Sequence, residues 1–230
     1  IELQDTYLRL DETIADFLAY LDKTVGKGNY LVFLTADHAG AENVTYLKDN
    51  KYKVDNINYK NIQKELKEFS ETTFGEDVLL NYSNYNVFLD KTKIKAKGLN
   101  LQEVKQNFKD YLQKQDYIKS VYTEEEVANA NASDFYLNFV SKGYDATQNG
   151  ELVVTFKPGY VEYSSTGTTH GSPYSYDTHV PLIFFGWNIP KGQTHDRKEI
   201  TQIAPTVTQM LKITMPNSSD GNVLLEVLEK

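Results

Sequence analysis

Apolar residues recur at spacings of three and four positions through the first part of the chain, and this pattern predicts an amphipathic helix that ends near Gly26 and Gly28. The pattern is already under way at Ile1 with no capping residue before it, which predicts that an upstream segment is missing. The short apolar run 30–35 follows and predicts a buried strand. A helix followed by a buried strand is typical of an α/β sheet that is covered on both faces.

The middle of the chain, residues 51–149, has a different pattern. Helical and strand-like patterns follow one another there in the order β-β-α-β with polar connections, which predicts a small α+β subdomain. Strand patterns return at 152–156 and 180–185 on either side of a polar loop at 164–178, and a helix is predicted at 200–211.

Together these elements predict the α/β fold class, with a mostly parallel sheet flanked by helices. Residues 1–50 and 150–230 would form the α/β core, as the C-terminal part of a larger domain. Residues 51–149 would form an inserted α+β cap subdomain.

Composition and charge limit the classes of function. The 230-residue chain has a formal net charge of −8, which argues against broad binding to nucleic acid or to anionic membranes. Its apolar runs are strand-sized and do not approach the length of a membrane span. Cysteine is absent, so any metal ion would have to be held by histidine and carboxylate side chains.

Asp37 and His38 directly follow the first strand pattern. In open α/β sheets ligands gather outside the carboxyl ends of strands, and an adjacent carboxylate and imidazole offer two ligands for a divalent ion such as zinc. The small residues Ala39 and Gly40 that follow allow close approach of the backbone. A turn aspartate beside a solvated histidine, or a structural Asp–His hydrogen bond, explains the pair equally well.

Further candidates lie in and after the polar loop. His170 sits among small residues ahead of a strand, where a sheet can position a binding group, although this position by itself favours an exposed loop histidine. His179 fits a buried, hydrogen-bonded residue or one that supports a metal ligand. Asp177 could orient an imidazole, as carboxylates do around metal ions, or cap the turn. His195 lies in a polar segment and is predicted at the surface.

Three segments taken together go beyond these general arguments. Residues 33–40, Phe-Leu-Thr-Ala-Asp-His-Ala-Gly, resemble the Thr-x-Asp-His-Gly segment of the alkaline phosphatase superfamily, with Ala39 where the family often has glycine. Residues 169–181 resemble the later His-Gly segment of its type I phosphodiesterase/nucleotide pyrophosphatase-like branch, which includes certain bacterial alkaline phosphatases. Residues 199–207 are similar to the family's Ile-Ala-Pro-Thr helix.

The resemblance implies an incomplete alkaline phosphatase-like fold and a two-metal zinc centre. Asp37 and His38 would bind one ion and His170 the other, with Asp177 and His179 as candidates for supporting these ligands. The remaining ligands and the Thr or Ser nucleophile of the family would lie in a missing N-terminal half, so no catalytic residue is expected in this chain. Half of the ligands would leave the zinc positions empty or weakly filled.

The function implied by the resemblance is that of a two-metal phosphate-ester hydrolase, an alkaline phosphatase-like phosphomonoesterase. This chain would be its C-terminal part, inactive on its own, and the whole protein would act on a small phosphate ester in the periplasm or outside the cell. The cap subdomain would form a lid over the substrate cleft. Two alternatives stay open, namely a phosphodiesterase- or sulfatase-type member of the superfamily and a non-catalytic binding module that kept the fold.

Overall fold

The computed structural model describes residues 1–131, 133–163 and 167–228, so the first three residues of the predicted polar loop lie outside the described residues. The described helices are, in chain order, α1 (Glu2–Leu21), α2 (Val44–Asp49), α3 (Tyr59–Phe74), α4 (Lys91–Ala96), α5 (Leu101–Gln113), α6 (Glu124–Ala128), α7 (Phe135–Lys142), α8 (Ser175–Thr178), α9 (Ile203–Leu211) and α10 (Leu225–Leu228). The described strands are β1 (Leu31–Leu34), β2 (Asn56–Ile57), β3 (Leu79–Ser83), β4 (Asn86–Leu89), β5 (Ile118–Thr123), β6 (Leu152–Phe156), β7 (Val161–Glu162) and β8 (Ile183–Gly186). The chain divides into two compact units, a smaller one of Ile1–Ala36 with Pro181–Lys230 and a larger one of Asp37–Val180.

The predicted N-terminal helix is confirmed as α1, which spans 20 residues and continues into one π-helical turn at Asp22–Gly26. None of the side chains of α1 is buried, and most of its large apolar residues are exposed. Tertiary packing of an apolar face supplies most of the stability of a helix in a folded protein, so α1 receives little of that stabilisation from the described residues. The Arg9–Asp5 ion pair, with its atoms 2.8 Å apart, adds only about 0.3 kcal/mol at such an exposed position.

The described part of the smaller unit contains one strand pair. β1 and β8 run antiparallel, from Leu31 opposite Gly186 to Leu34 opposite Ile183. Apolar runs predicted strands at both places, but the expectation that they are buried is wrong, since Leu34, Ile183 and their neighbour Phe185 are exposed. An apolar run indicates that a strand needs cover on both faces, but it does not indicate which part of a protein supplies that cover.

The α/β class is confirmed, while the strand directions differ from the predicted mostly parallel sheet. Among the described residues only β2 and β7 pair in parallel, over two residues each. The pair β1–β8 and all pairs of the four-stranded sheet β3-β4-β6-β5 are antiparallel. The apolar period of a strand is the same in both arrangements, so the period alone does not reveal the direction of pairing.

The larger unit is built on the sheet β3-β4-β6-β5, with α3 against β3 and α5 against β5. All residues of β6 are buried. The buried core of this unit consists of Ile62, Leu66, Val78, Leu79, Tyr82, Val87, Leu89, Ile94, Val104, Phe108, Leu112, Ile118, Val121, Leu152, Val154 and Phe156. Three strands of the sheet come from the predicted cap segment 51–149 and β6 follows it, so the sheet extends past the predicted boundary at residue 149. The lid role of this segment stays a prediction.

Lys105 on α5 carries a charge into this core. Its side chain is 1% exposed, and its ammonium donates hydrogen bonds to the carboxylates of Glu124 at 3.2 Å and Glu125 at 2.5 Å. Burial by itself would raise the pKa of Glu125, but the hydrogen bonds from Lys105 and Gln102 outweigh burial and lower that pKa to about 2.

We expect Lys105→Met to remove a pH-dependent part of the stability of the larger unit. The folded-state pKa of Glu125 lies below its ordinary value of 4.5, so this contribution is present above pH 4.5 and is lost as the pH falls toward 2. Because Glu125 is half exposed, solvent screening limits the contribution to about 1 kcal/mol.

Urea unfolding at pH 7 and pH 3 measures this effect, and the variant should lose less stability between the two pH values than the unsubstituted chain. Lys119→Met, which removes an exposed lysine from β5, is the control and should leave the pH dependence unchanged. The same loss of stability in the Lys105→Met and the unsubstituted chain would contradict the expectation.

Candidate active site

The three predicted metal ligands lie on two loops of the larger unit. Asp37 and His38 belong to residues 37–41, here called the first histidine loop. His170 belongs to residues 167–174, here called the second histidine loop, which leads into α8.

Hydrogen bonds hold the two histidine loops together. The Ala39 N–H donates to the carbonyl oxygen of Asp177 on α8, just after the second histidine loop, at 2.8 Å, and the Ala41 N–H donates to the Thr169 carbonyl oxygen within that loop at 3.0 Å. The hydroxyl of Thr168 donates to the Ala41 carbonyl oxygen at 2.5 Å, across a separation of 127 positions in the chain. These hydrogen bonds bring the segment that carries His38 next to the segment that carries His170.

The imidazole rings of His38 and His170 are stacked face to face. Their centroids are 3.4 Å apart and their planes are inclined by 13°. Both histidines are exposed to solvent. The structure therefore brings together two of the residues that the sequence selected, whereas their binding of a metal stays a prediction.

Hydrogen bonding selects one tautomer of His38. Its Nδ1 lies 2.7 Å from the Ala39 carbonyl oxygen, and since a carbonyl only accepts, Nδ1 must carry the proton. In the neutral imidazole the lone pair is then on Nε2, which lies 3.7 Å from the Oδ2 of Asp37. The side chain of Asp37 is 88% exposed, which leaves its carboxylate accessible to a cation.

The chemistry of this donor pair fits a zinc ion, but the pair is not a complete site. Two ligands of one tetrahedral zinc ion lie roughly 3.4 Å apart when the bonds are about 2.1 Å long, which is close to the spacing of the Asp37 and His38 donor atoms. Within the described ranges, however, no group of three or more His, Cys, Asp or Glu side chains is arranged to hold a metal ion. Further ligands would have to come from elsewhere.

The buried carboxylate of Asp177 on α8 binds the backbone of the second histidine loop. It is 4% exposed, and its Oδ2 accepts a hydrogen bond from the Ser172 N–H at 2.8 Å. Its Oδ1 is buried without a hydrogen-bond partner among the residues that the structure describes. Of the two interpretations that the sequence left open, the contact of Oδ2 is that of a residue holding the backbone of a turn.

The other two histidines are at the surface. His179 is exposed rather than buried, and its backbone N–H donates to the Ser175 carbonyl oxygen at the end of α8. His195 is exposed, as its polar surroundings predicted.

Sequence reasoning did not single out Tyr85, whose ring lies close to the second histidine loop. A Cβ atom placed on Gly171 would lie 3.3 Å from the Cε2 of the Tyr85 ring. Burial, followed by the negative charge of Glu162, raises the pKa of Tyr85 above its ordinary value, so the side chain is a neutral phenol. The only trace of this role in the sequence is a tyrosine at a turn between two strand patterns, where glycine is the usual residue.

The sequence that forms the two histidine loops is similar to sequences of known proteins. The family model for type I phosphodiesterase / nucleotide pyrophosphatase matches residues 1–180. The chain belongs to this family. The predicted membership of a type I phosphodiesterase-like branch is thereby confirmed.

Individual relatives of this type I phosphodiesterase-family chain include alkaline phosphatases. Alkaline phosphatase PafA of Elizabethkingia meningoseptica is 36% identical over 230 residues, which are 99% of this chain and 42% of PafA. A protein of Myroides odoratus named calcium-transporting ATPase is 38% identical over 233 residues, which cover 100% of this chain and 42% of that protein. The chain thus spans about two fifths of the length of the curated relatives it matches.

The fold agrees with the sequence comparison. The crystal structure of wild type alkaline phosphatase PafA matches with a TM-score of 0.91 at 36% identity, over 98% of this chain and 43% of that one. The predicted incomplete alkaline phosphatase-like fold is therefore confirmed. None of the described helices is long and apolar enough to cross a membrane.

Proposed function

We propose that this chain is the C-terminal part of a two-metal phosphate-ester hydrolase with alkaline phosphatase-like phosphomonoesterase activity. The stacked pair of His38 and His170, with Asp37 beside it, is the observation that carries the proposal. These are the residues to which the family resemblance assigns metal binding. The similarity to alkaline phosphatase PafA supports the same function.

In this proposal Asp37 and His38 hold one divalent ion and His170 holds the other. Imidazole nitrogen and carboxylate oxygen are donors that suit zinc, and the free Nε2 of His38 provides one of them. Bound divalent ions lower the pKa of a hydroxyl nucleophile and stabilise the leaving oxygen of a phosphate ester.

The contribution of this chain is to position these donors. The stacking contact sets the spacing of the two imidazoles, and the hydrogen bonds Ala39–Asp177 and Ala41–Thr169 hold the loops that carry them. Binding groups that are already held in place do not have to be ordered during the reaction. Asp177 would act on His170 through the second histidine loop, and His179 remains a candidate for supporting a ligand.

No catalytic residue is assigned in this chain. The Thr or Ser nucleophile and the remaining ligands would lie in the N-terminal half of a longer, full-length protein that contains both parts. Its substrate would be a small phosphate ester, its location periplasmic or secreted, and residues 51–149 would contribute a lid over the substrate.

Three esters that release the same leaving group, p-nitrophenol, test the reaction class. The full-length protein should hydrolyse p-nitrophenyl phosphate faster than bis(p-nitrophenyl) phosphate and p-nitrophenyl sulfate, and a chelator should abolish the activity until zinc is restored. Fastest turnover of the diester or the sulfate would move the assignment to the phosphodiesterase or sulfatase type. No turnover of any of the three would replace the hydrolase by a non-catalytic binding module.

On its own, the 230-residue chain should show negligible turnover of p-nitrophenyl phosphate and only weak zinc binding. The nucleophile would be absent, and each ion would have one or two protein ligands, fewer than the three or four of zinc sites in proteins. A colorimetric assay and titration calorimetry measure the two quantities. Substantial zinc-dependent release of p-nitrophenol, or tight zinc binding that His170→Ala abolishes, would contradict this expectation.

A further inference from the structure

Tyr85 lies in a turn whose backbone does not favour it. β3 and β4 are joined by the two-residue loop Asn84-Tyr85, between the paired residues Ser83 and Asn86. The φ angles of the two loop residues are both positive, 47° and 61°. A two-residue hairpin loop of this kind is a type I′ turn, which prefers glycine at its second position. A tyrosine there costs on the order of 1 kcal/mol or more of backbone strain.

The surroundings of Tyr85 hold this strained conformation. The Tyr85 carbonyl oxygen accepts a hydrogen bond from the Val154 N–H of β6 at 2.8 Å. The Tyr85 ring packs edge-to-face on Phe156 of the same strand, with centroids 5.1 Å apart and planes inclined by 80°. The ring thus packs against the most buried strand of the sheet, and a shift of the ring would disturb its packing on Phe156.

The same ring lies beside Gly171, the residue directly after His170 in the second histidine loop. Gly171 has a φ of 111°, a backbone conformation that residues other than glycine rarely adopt. A Cβ atom on Gly171 would lie against the Tyr85 ring. The next residue, Ser172, is held by the carboxylate of Asp177 at 2.8 Å. The backbone that follows His170 is therefore supported by an aromatic ring at one residue and by a carboxylate at the next.

We propose that Tyr85 is a positioning residue for His170, because its ring supports Gly171 and so keeps the second histidine loop where His170 stacks on His38. Backbone strain like that at Tyr85 is retained in proteins at positions where function requires a particular side chain. The geometric part of the proposal stands on the contacts of the ring, while its consequence for catalysis rests on the proposed function.

Tyr117 offers a matched control. Its ring packs edge-to-face on the same Phe156, with centroids 5.3 Å apart and planes inclined by 79°. Burial raises the pKa of Tyr117 as it does that of Tyr85. Replacing Tyr117 therefore removes a comparable ring from the same core without touching Gly171.

Histidine ring signals in NMR spectra of the metal-free chain test the geometric part. Stacked rings move each other's proton signals upfield, and Tyr85→Gly should lose most of this shift at His38 and His170. Glycine suits the turn, so this variant should keep its fold, which circular dichroism checks. Tyr85→Phe keeps the ring and Tyr117→Ala keeps the contact, so both should retain the shift. Unchanged signals in Tyr85→Gly, or an equal loss in Tyr117→Ala, would overturn the proposal.

The full-length protein tests the consequence. Tyr85→Gly should lower kcat for p-nitrophenyl phosphate about tenfold or more with little change in KM, whereas Tyr85→Phe and Tyr117→Ala should stay close to the unsubstituted protein. Unchanged kcat in Tyr85→Gly would overturn the role in catalysis. If the histidine signals respond as expected but the unsubstituted full-length protein hydrolyses no ester, the proposed function fails and the positioning role of Tyr85 is supported.

Discussion

Replacement of His170 with alanine in the full-length protein should reduce the hydrolysis of p-nitrophenyl phosphate by about a thousandfold or more. His170 is the partner of His38 in the stacked pair, and in the proposed centre it is the ligand that this chain gives to the second ion. Water in its place would weaken metal binding and charge stabilisation at the same time. Measurements of kcat/KM and of zinc content by mass spectrometry should therefore fall together.

His195→Ala is the matched control for this experiment. His195 is also exposed, but it lies outside both histidine loops, so its removal should change neither zinc content nor turnover. A His170→Ala variant of the full-length protein that hydrolyses the ester as well as the unsubstituted protein and keeps its zinc would exclude His170 as a ligand. An equal loss in both variants would point to a general effect of removing a surface histidine.

Gly150→Ala should destabilise the larger unit by about 3 kcal/mol. A Cβ atom at this position would overlap the carbonyl oxygen of Val87, which is a backbone atom of β4, and β4 is paired with β6 two residues after Gly150. The Gly150 N–H donates to the Oδ1 of Asn86 at 3.1 Å, which fixes the approach of the two segments. The free energy of unfolding in urea measures the effect.

Gly143→Ala in the same unit is the comparison. The nearest atom to a Cβ there is a carbonyl oxygen at 3.9 Å, which is an ordinary contact, and the φ of Gly143 is −100°. This substitution should change the free energy of unfolding by less than about 1 kcal/mol. Equal effects at Gly143 and Gly150 would show that close backbone approach is not the reason for the glycine at 150.

Secondary-structure elements and candidate site residues could be predicted where the signal lies within a short segment of the sequence. The three- and four-residue apolar spacing correctly predicted α1, and apolar runs correctly predicted β1 and β6 to within one or two residues. The motif around Asp37 and His38 was recognisable because the residue types and their order are local. These features depend only on neighbours in the chain.

Features that depend on distant contacts could not be predicted in this way. The antiparallel pairing of β1 with β8 and the inclusion of β6 in the sheet of the cap segment are choices among partners that share one apolar pattern. Tyr85 has the same pattern as a core tyrosine until its contact with Gly171 is known. The stacking of His38 on His170 likewise follows from loop contacts across the chain and not from either motif.

The exposure of α1 has a practical consequence for work with this chain by itself. Leu3, Tyr7, Leu10 and Phe17 recur at helical spacing and are all exposed, so they form an uncovered apolar stripe along one face. Such stripes promote self-association, which increases with concentration. A dimer or larger species detected in solutions of the isolated polypeptide would then report self-association through this stripe, and it should not be interpreted as the quaternary structure of the full-length protein.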